Sequence, residues 1–328
     1  MDVLVVGLGS MGKRRIRLLQ RFSVVENIIG IDGRLDRRQE AKELYNCFVY
    51  DSMDDALSNH KNIECAFICT SPLSHHTLIK NVLTSNLHVF TEINLVSDGY
   101  KTNIQLAKEK GKVLFLSSTF LYREEIKFIK NKIQTNQKLN YVYHIGQYLP
   151  DWHPWENFND FFVGDKRTNG CREIMAIELP WLVDTFGDIL EINTVADNIT
   201  TLELPYRDNY MIQIKHTNGN KGLLAIDVVS PKAVRNLEVY GEKIYCSWNG
   251  APDTVQYYDV ATKSVKKAIL EEVFEHMDGY DNFIVENAYQ DEIKDFFDVI
   301  YNGKQQQYGF EQDMKVLKLI DEIEGIYE

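Results

Sequence analysis

The feature that most constrains this chain is a glycine pattern that follows its first apolar run. Residues 3–6 read Val-Leu-Val-Val, which is typical of a strand buried on both faces of a parallel sheet. The next six residues read Gly-Leu-Gly-Ser-Met-Gly and lead into a stretch with helical apolar spacing. A strand, a Gly-x-Gly-x-x-Gly turn and a helix in this order predict a loop that holds the pyrophosphate of a dinucleotide at a helix N-terminus.

Asp32 lies 20 residues beyond the last glycine of this pattern, and an acid at this distance supports the same prediction. A carboxylate at this place accepts hydrogen bonds from the ribose hydroxyls and repels the 2′-phosphate of NADP. Arginines follow the acid closely, and an arginine could instead hold that phosphate. We therefore expect NAD, with NADP as the alternative, bound by Gly7, Gly9, Ser10, Met11, Gly12, Asp32 and Arg34.

The pattern of short elements divides the chain into two parts. Residues 1–121 alternate β-rich and helical segments, which predicts a doubly wound parallel sheet of the Rossmann type. Within residues 190–275, short β-rich runs are separated by turn residues. Residues 122–328 are therefore predicted to form an α+β domain, whose last helix can pack back on the first domain.

Composition excludes several classes of function. The chain has 36 Lys and Arg against 48 Asp and Glu, a net charge of −12, so neither nucleic acid nor an anionic membrane is expected as a partner. No apolar stretch approaches the roughly 18 residues of a membrane span, and no signal peptide is recognised. The five cysteines lack metal-site spacing. We expect a cytoplasmic protein without a metal.

Two further segments resemble a known family. Residues 69–76 read Cys-Thr-Ser-Pro-Leu-Ser-His-His, and residues 87–94 read Leu-His-Val-Phe-Thr-Glu-Ile-Asn. They resemble the Thr-Pro-x-x-x-His and Gly-Lys-His-Val-x-x-Glu-Lys-Pro segments of the glucose–fructose oxidoreductase / inositol dehydrogenase / MocA family. The resemblance implies an NAD(P)-dependent oxidoreductase of sugars or polyols, with an open, mostly antiparallel second sheet that forms a dimer or tetramer. It adds Thr70, Ser71, Pro72, His76, Glu92 and Asn94 to the expected cofactor contacts.

The sequence departs from this family where the chemistry takes place. The catalytic lysine of the family falls on Ile93, and its proline falls on Asn94. The Asp-x-x-x-His-x-x-Asp pattern of the family falls on Glu173, Ile177 and Pro180, so only the first acid is kept. Neither isoleucine can transfer a proton.

Other residues are therefore the candidates for proton transfer and substrate binding. We expect His153, Glu178 and Tyr122 to be catalytic, because Pro180 is expected to kink its helix and move Glu178 towards the position of the family histidine. The expected substrate contacts, on a loop and a helix rich in Trp and Arg, are Arg123, Trp152, Trp155, Arg172 and Glu173. For each of these residues a structural role is the alternative, as an interface aromatic, a surface histidine or an ion-pair partner.

The sequence therefore predicts an NAD-dependent oxidoreductase that acts on a hydroxyl-bearing carbon of a sugar, a sugar derivative or a nucleotide sugar. Two alternatives stay open because the lysine and histidine of the family are absent. The cofactor could stay bound during an epimerisation or elimination, or the chain could be a dinucleotide-binding subunit without catalysis.

Overall fold

The computed structural model describes residues 1–134, 137–154, 156–270 and 285–326. The chain forms two compact units, one of residues 1–118 with 289–315 and the other of residues 119–288 with 316–328. The division between the two domains was predicted after residue 121, which lies within a short 3-10 helix, Thr119–Tyr122, at the start of the second unit.

The first unit is built around a parallel sheet of six strands in the order β3-β2-β1-β4-β5-β6, a doubly wound order that reverses between its two halves. The fold class predicted for the N-terminal part is confirmed. The strands are β1 Asp2–Val6, β2 Asn27–Ile31, β3 Phe48–Tyr50, β4 Ile63–Ile68, β5 His88–Thr91 and β6 Leu114–Leu116. The helices between them are α1 Ser10–Leu19, α2 Leu35–Tyr45, α3 Met53–Asn59, α4 Pro72–Thr84 and α5 Tyr100–Lys110.

The second unit is built around a sheet of eight strands in the order β14-β13-β12-β11-β7-β10-β9-β8. Among the strand pairs that the described residues form in this sheet, only β7 and β10 run parallel, so the predicted mostly antiparallel sheet is confirmed. The strands are β7 Asn140–Gly146, β8 Ile189–Asp197, β9 Asn209–His216, β10 Lys221–Asp227, β11 Val234–Gly241, β12 Ile244–Trp248, β13 Gln256–Asp259 and β14 Ser264–Lys267. The helices are α6 Glu124–Ile133 and α7 Gly170–Phe186, and the chain ends with α8 Glu286–Asn302 and α9 Phe310–Glu324.

The two faces of the second sheet differ because side chains alternate along each strand. On one face, Tyr141 stacks on Phe186 of α7 at 4.2 Å between ring centroids. Alternate residues on the other face stay exposed, although they are apolar: Val142, Val195, Met211 and Leu223. One face of this sheet is therefore covered by helix and the other is open in the single chain.

The kink expected at Pro180 does not end α7. The helix runs from Gly170 to Phe186 with Pro180 inside it, and Glu178 stays in the buried row of the helix. Contacts with the sheet lie on both sides of the proline, from Glu178 to Arg235 and from Trp181 to Tyr143, and they hold Glu178 against the sheet. No helix in the described ranges is long and apolar enough to cross a membrane.

A buried ion network holds the first unit together. The guanidinium of Arg15, on α1, donates to both carboxylate oxygens of Glu92 at 2.6 and 3.1 Å and to Glu292 of α8 at 2.7 Å. The amide of Ser118 donates to the other oxygen of Glu292 at 2.6 Å. Burial alone would lower the pKa of Arg15, but the two carboxylates raise it above its ordinary value. One guanidinium therefore joins α1, the end of β5 and α8.

Loss of this guanidinium is expected to destabilise the fold. Arg15→Met leaves two buried carboxylates without their cation, so the free energy of unfolding should fall by about 3–5 kcal/mol. Urea unfolding followed by circular dichroism measures it. The matched control is Arg34→Met, which removes an exposed ion pair with Asp36 and should leave the free energy of unfolding nearly unchanged, because solvent screens exposed pairs. Equal effects of the two substitutions would contradict this account of the network.

Candidate functional site

The glycine loop after β1 is tight because two of its glycines leave no room for a side chain. Gly7 has a φ of +93°, which glycine adopts without strain. A Cβ on Gly12 would lie 1.9 Å from the Gly7 carbonyl oxygen. Helix α1 begins directly after Gly9. Because glycine has no side chain, this residue does not cap the first N–H groups of the helix. The loop therefore fits the pyrophosphate of a dinucleotide, which helix N–H groups and the helix dipole attract.

Asp32 lies at the end of β2, next to this loop. Its carboxylate accepts the Leu8 amide at 2.8 Å and the Arg34 amide at 2.9 Å. Arg37 approaches one carboxylate oxygen at 3.6 Å. The acid is therefore fixed beside the glycine loop, at the place where the ribose of a dinucleotide is expected.

Cys69 and Thr70 lie against the glycine loop, because a Cβ on Gly7 would be only 2.8 Å from the Cys69 carbonyl oxygen and from the Thr70 methyl group. The predicted Ser71 and Pro72 follow them in the chain. Pro72 occupies the first turn of α4, where its fixed φ suits the helix and its missing N–H is not needed. The structure thus brings two of the predicted cofactor segments together at the carboxyl ends of β1 and β4.

His75, rather than the predicted His76, reaches the ends of the strands. Its Nε2 donates to the Thr70 carbonyl at 2.9 Å, and its Nδ1 is hydrogen-bonded to the side chain of Asn94 at 2.6 Å. The ring of His76 instead packs against Gly99 at the start of α5. Adjacent residues of a helix point in directions about 100° apart, so only one of the two histidines can face the strand ends. Burial lowers the pKa of His75 and favours its neutral form.

Ile93 occupies the outward position of the segment that follows β5. Within residues 91–96 it is the one side chain that is not buried, whereas Glu92 is held by Arg15 and Asn94 by His75. Glu92 and Asn94 therefore shape this segment from within. The position that would carry the lysine of the family presents an aliphatic side chain.

Glu178, predicted to be catalytic, is fully buried in the second unit. Its carboxylate accepts hydrogen bonds from Tyr143 at 2.7 Å, from Trp181 at 2.6 Å and twice from Arg235 at 3.0 and 2.7 Å. A carboxylate with four donors and no exposed surface cannot touch a substrate. Its observed contacts are structural, and they join α7 to β7 and β11.

Two predicted substrate residues are also held in buried ion pairs. Arg172 donates to Asp321 at 2.7 Å and forms a shorter pair with Glu324, both on α9, and not with its neighbour Glu173. Arg123 donates to Glu125 at 2.5 Å and to the Gly250 carbonyl at 2.9 Å. Tyr122, proposed to be catalytic, is buried as well.

The loop after β7 carries the other predicted substrate contacts. His153 is hydrogen-bonded through Nδ1 to Glu156 at 2.7 Å, and its ring stacks on Phe161 at 4.6 Å. Trp152 is half-buried and donates from its indole N–H to the Gln147 carbonyl. Trp155 lies outside the described residues. The loop therefore presents a histidine whose ring is oriented by a carboxylate, together with aromatic faces.

Glu173 lies in the first turns of α7, one helical turn before Ile177, and both side chains are half-buried. In the parts of the chain that the structure describes, its carboxylate accepts no hydrogen bond. Burial raises the pKa of Glu173 to about 7. A carboxyl group with this pKa can both take up and release a proton near neutral pH.

Sequence reasoning missed two residues of these sites. His75 could have been found by counting the helical phase of α4, because one helix face carries every third or fourth residue. Arg235 had no local signal, since it reaches Glu178 from 57 positions away along the chain.

A family model with the description "Oxidoreductase family, NAD-binding Rossmann fold" matches residues 1–118. The match covers 118 of the 328 residues and agrees with the resemblance of the motifs to the Gfo/Idh/MocA family. It also agrees with the predicted oxidoreductase class and the predicted NAD cofactor, and the glycine loop and Asp32 provide the site that such a cofactor needs.

Curated relatives and solved structures are similar over longer stretches. Biliverdin reductase A of Homo sapiens is 28% identical over 211 residues, which span 64% of this chain and 64% of that protein, somewhat under two thirds. The mouse protein is 28% identical over 72% of this chain and 74% of its own length. UDP-N-acetylglucosamine 3-dehydrogenase from Acidithiobacillus ferrooxidans aligns with a TM-score of 0.76 at 15% identity, covering 99% and 97% of the two chains. Levoglucosan dehydrogenase in complex with NADH aligns with a TM-score of 0.80 at 14% identity, covering 99% and 96%. Such likenesses show the shared fold.

The glycine loop gives a direct test of the dinucleotide site. A Cβ on Gly9 would meet no protein atom closer than 3.5 Å, so Gly9→Ala should keep the fold. The added methyl group would stand where the pyrophosphate approaches, so NADH binding should weaken by at least about tenfold in a fluorescence titration. Gly33→Ala is the control, because a Cβ there meets nothing within 4 Å. Unchanged NADH affinity in Gly9→Ala would place the cofactor elsewhere.

Proposed function

We propose that this chain oxidises a hydroxyl-bearing carbon of a sugar, a sugar derivative or a nucleotide sugar, or carries out the reverse reduction. The match of residues 1–118 to the model of an oxidoreductase family with an NAD-binding Rossmann fold supports this proposal. The intact glycine loop with Asp32 beside it is the observation that carries the proposal. The bound nicotinamide supplies the hydride acceptor or donor. The protein must bind the substrate and take up or return the hydroxyl proton.

The loop after β7 supports a sugar as the substrate. Aromatic faces such as those of Trp152 and Phe161 suit the apolar faces of a sugar ring, and carboxylate and imidazole groups suit its hydroxyls. The relatives in fold named above include two dehydrogenases whose names refer to sugars, UDP-N-acetylglucosamine and levoglucosan. Arg123 and Arg172 are used in buried ion pairs, so we assign recognition of the sugar to the loop and to Glu173.

Proton transfer requires a group that reaches the substrate and has a suitable pKa. Glu178 and Tyr122 are too deeply buried for this task. We assign the uptake and return of the hydroxyl proton to Glu173, whose pKa lies near 7. The His153–Glu156 pair is the second candidate for this role. In the oxidation direction, a bound nicotinamide would take up the hydride from the carbinol carbon, and the Glu173 carboxylate would take up the hydroxyl proton, so that a carbonyl group would form.

A second candidate function follows from the two isoleucines at the positions of the family lysine and histidine. Reduction of a conjugated double bond involves no hydroxyl group, so it does not need a residue that takes a hydroxyl proton. Human biliverdin reductase A, by name a reductase of biliverdin, is 28% identical in the matched region. We therefore keep a biliverdin-like conjugated substrate as the alternative.

A panel of reactions separates these candidates. The purified chain is mixed with NAD and free sugars, polyols or nucleotide sugars, and separately with NADH and keto-sugars or biliverdin, while absorbance at 340 nm is followed. Turnover with a sugar supports the proposal. Turnover with biliverdin alone supports the alternative, and NADH binding without any turnover contradicts both.

Glu173→Gln tests the assigned proton acceptor. Turnover in the oxidation direction should fall by about 10²–10⁴-fold, whereas NADH affinity should stay within about threefold. Because only the ionised carboxylate accepts a proton, the wild-type rate of oxidation should rise as the pH passes through about 7. This rise should be absent from the residual activity of the variant.

The thermal stability of the same variant provides an independent test of the raised pKa. The folded-state pKa of Glu173 lies above its ordinary value of 4.5, so ionisation is disfavoured in the folded state. The resulting loss of stability grows from pH 4.5 to about 7 and is complete above that pH. Glu173→Gln should therefore melt higher than wild type at pH 8. The control is Glu191→Gln, which changes an exposed glutamate of β8. Full activity of Glu173→Gln would favour His153 as the group that takes up the proton.

The open face of the second sheet supports a homo-oligomer. Val195, Met211 and Leu223 on neighbouring strands are each more than half exposed, and contiguous exposed apolar surface marks interaction sites. A C2 interface would bury this face against the same face of a second copy. We propose a dimer or a tetramer that assembles through this sheet.

A charge on this face should break the assembly. Met211→Glu is expected to lower the mass measured by light scattering after gel filtration, because it would bury a carboxylate without a partner. Leu44→Glu is the matched control, since Leu44 on α2 has the same exposed fraction of 62%. A wild-type monomer, or an unchanged mass in Met211→Glu, would contradict the proposal.

The cysteines support a cytoplasmic location. All five are buried, and none forms a disulfide. Disulfides are rare in the reducing cytosol, and thiols that stay reduced suit that compartment. We therefore propose that this chain works in the cytoplasm, where NAD is available as a diffusible cofactor.

A further inference from the structure

A cavity of about 410 Å³ lies in the first unit, away from the glycine loop. It is lined by residues of α5, the start of β6, the end of α8 and the start of α9. Strand β6 begins at this cavity, whereas the glycine loop follows the end of β1. Because the six strands of this sheet pair in parallel, the cavity and the dinucleotide site lie at opposite edges of the sheet. Its volume suits a small organic molecule.

Apolar side chains form the walls of this cavity. They come from all four elements: Ile104, Ala107, Leu114, Val299 and Phe310. The ring of Phe310 packs against that of Tyr100 at 4.7 Å between ring centroids. The hydroxyl of Tyr100 donates to Asp313, which also accepts a hydrogen bond from Tyr308 at 2.8 Å. The wall that Phe310 forms is therefore fixed by contacts within the protein, as is typical of sites for small molecules.

Lys112 is a half-buried cation that lines the same cavity. Among the residues that the structure describes, its ammonium group has no ion-pair partner and no hydrogen-bond acceptor. Lys108, four residues earlier, is paired with Glu311 at 3.1 Å, and both of these side chains are largely exposed. Burial lowers the pKa of His88, and the charge of Lys112 lowers it further. The two lysines and one glutamate of the lining thus leave one positive charge without a counter-charge.

We propose that this cavity binds a small carboxylate with an apolar body. The carboxylate pairs with Lys112, because an ammonium group that is partly removed from water gains most from an anion that donates no proton in return. The apolar body packs against the walls and removes them from water. A neutral molecule would leave Lys112 unpaired, and an inorganic anion would leave the walls hydrated. The ligand therefore needs both parts.

The site is separate from the site of the proposed reaction. Its lining contains none of the residues assigned to the dinucleotide, to the sugar or to proton transfer. A ligand at the opposite edge of the sheet from the glycine loop binds beside the cofactor domain without taking part in hydride transfer. Its binding to the folded chain alone stabilises the fold by mass action.

Two simple carboxylates test the ligand class. Isothermal titration calorimetry of the full chain with 3-phenylpropionate and with hexanoate should give a dissociation constant below about 1 mM for at least one of them. The corresponding amides, which keep the apolar body and lose the charge, should bind at least about tenfold more weakly. Acetate, which keeps the charge and lacks the body, should not bind in this range.

Variants locate the binding in the cavity. Lys112→Met should weaken the carboxylate by at least about tenfold and change the amide by no more than about threefold. Lys110→Met is the matched control, because Lys110 is an exposed lysine of α5 outside the lining. Val299→Trp should fill the cavity and abolish binding of both ligands. Thermal melting followed by circular dichroism checks that each variant is folded.

The dinucleotide site provides the last control. Saturating NADH should not displace the carboxylate, and Gly9→Ala should leave the affinity for the carboxylate unchanged. Absence of saturable binding of either carboxylate up to about 10 mM, equal affinities of carboxylate and amide, equal losses in Lys112→Met and Lys110→Met, or displacement by NADH would overturn the proposal. The proposed sugar oxidoreduction depends on NADH binding, so it stands whichever result these titrations give.

Discussion

Arg15 is fully buried, and its charge is shared by Glu92 and Glu292. Removal of a guanidinium from water is costly unless anions and hydrogen bonds replace the lost hydration, and here two carboxylates, Ser117 and a backbone carbonyl do so. Because Glu92 precedes Ile93, the network also fixes the segment that follows β5. The cofactor segment of the first unit thus depends on an ion network whose third member, Glu292, lies near the end of the chain.

The second unit uses buried charge in the same way. Glu178 and Arg235 join α7 to the sheet, and Arg172 joins the start of α7 to the end of α9. These contacts fix the first turns of α7, where Glu173 lies. Of the three carboxylates of α7, Glu178 and Asp184 accept hydrogen bonds, whereas Glu173 accepts none from the described part of the chain. Burial raises the pKa of Glu173. A pKa that the surroundings shift away from its ordinary value is a common property of catalytic groups.

Sequence reasoning succeeded where the signal was local. The glycine loop, Asp32 and the alternation of strand and helix are set by short-range backbone geometry, so they could be predicted from a few adjacent residues. The partners of charged residues could not, because Arg15 reaches carboxylates 77 and 277 positions away. The prediction that Glu178 would reach the substrate relied on a proline kink, and packing of α7 on the sheet kept the helix continuous. The sequence pointed to His76 on α4, whereas the ring that contacts the strand ends is that of His75, one residue earlier.

The central claim is that this chain binds a nicotinamide dinucleotide as the redox partner of a sugar-type substrate. Native mass spectrometry of the purified protein with increasing NADH tests its first requirement most directly. The account predicts one dinucleotide per chain, either bound on purification or acquired on titration, with saturation at that ratio. A folded chain that carries no dinucleotide and acquires none, from NADH or from NADPH, would contradict the claim.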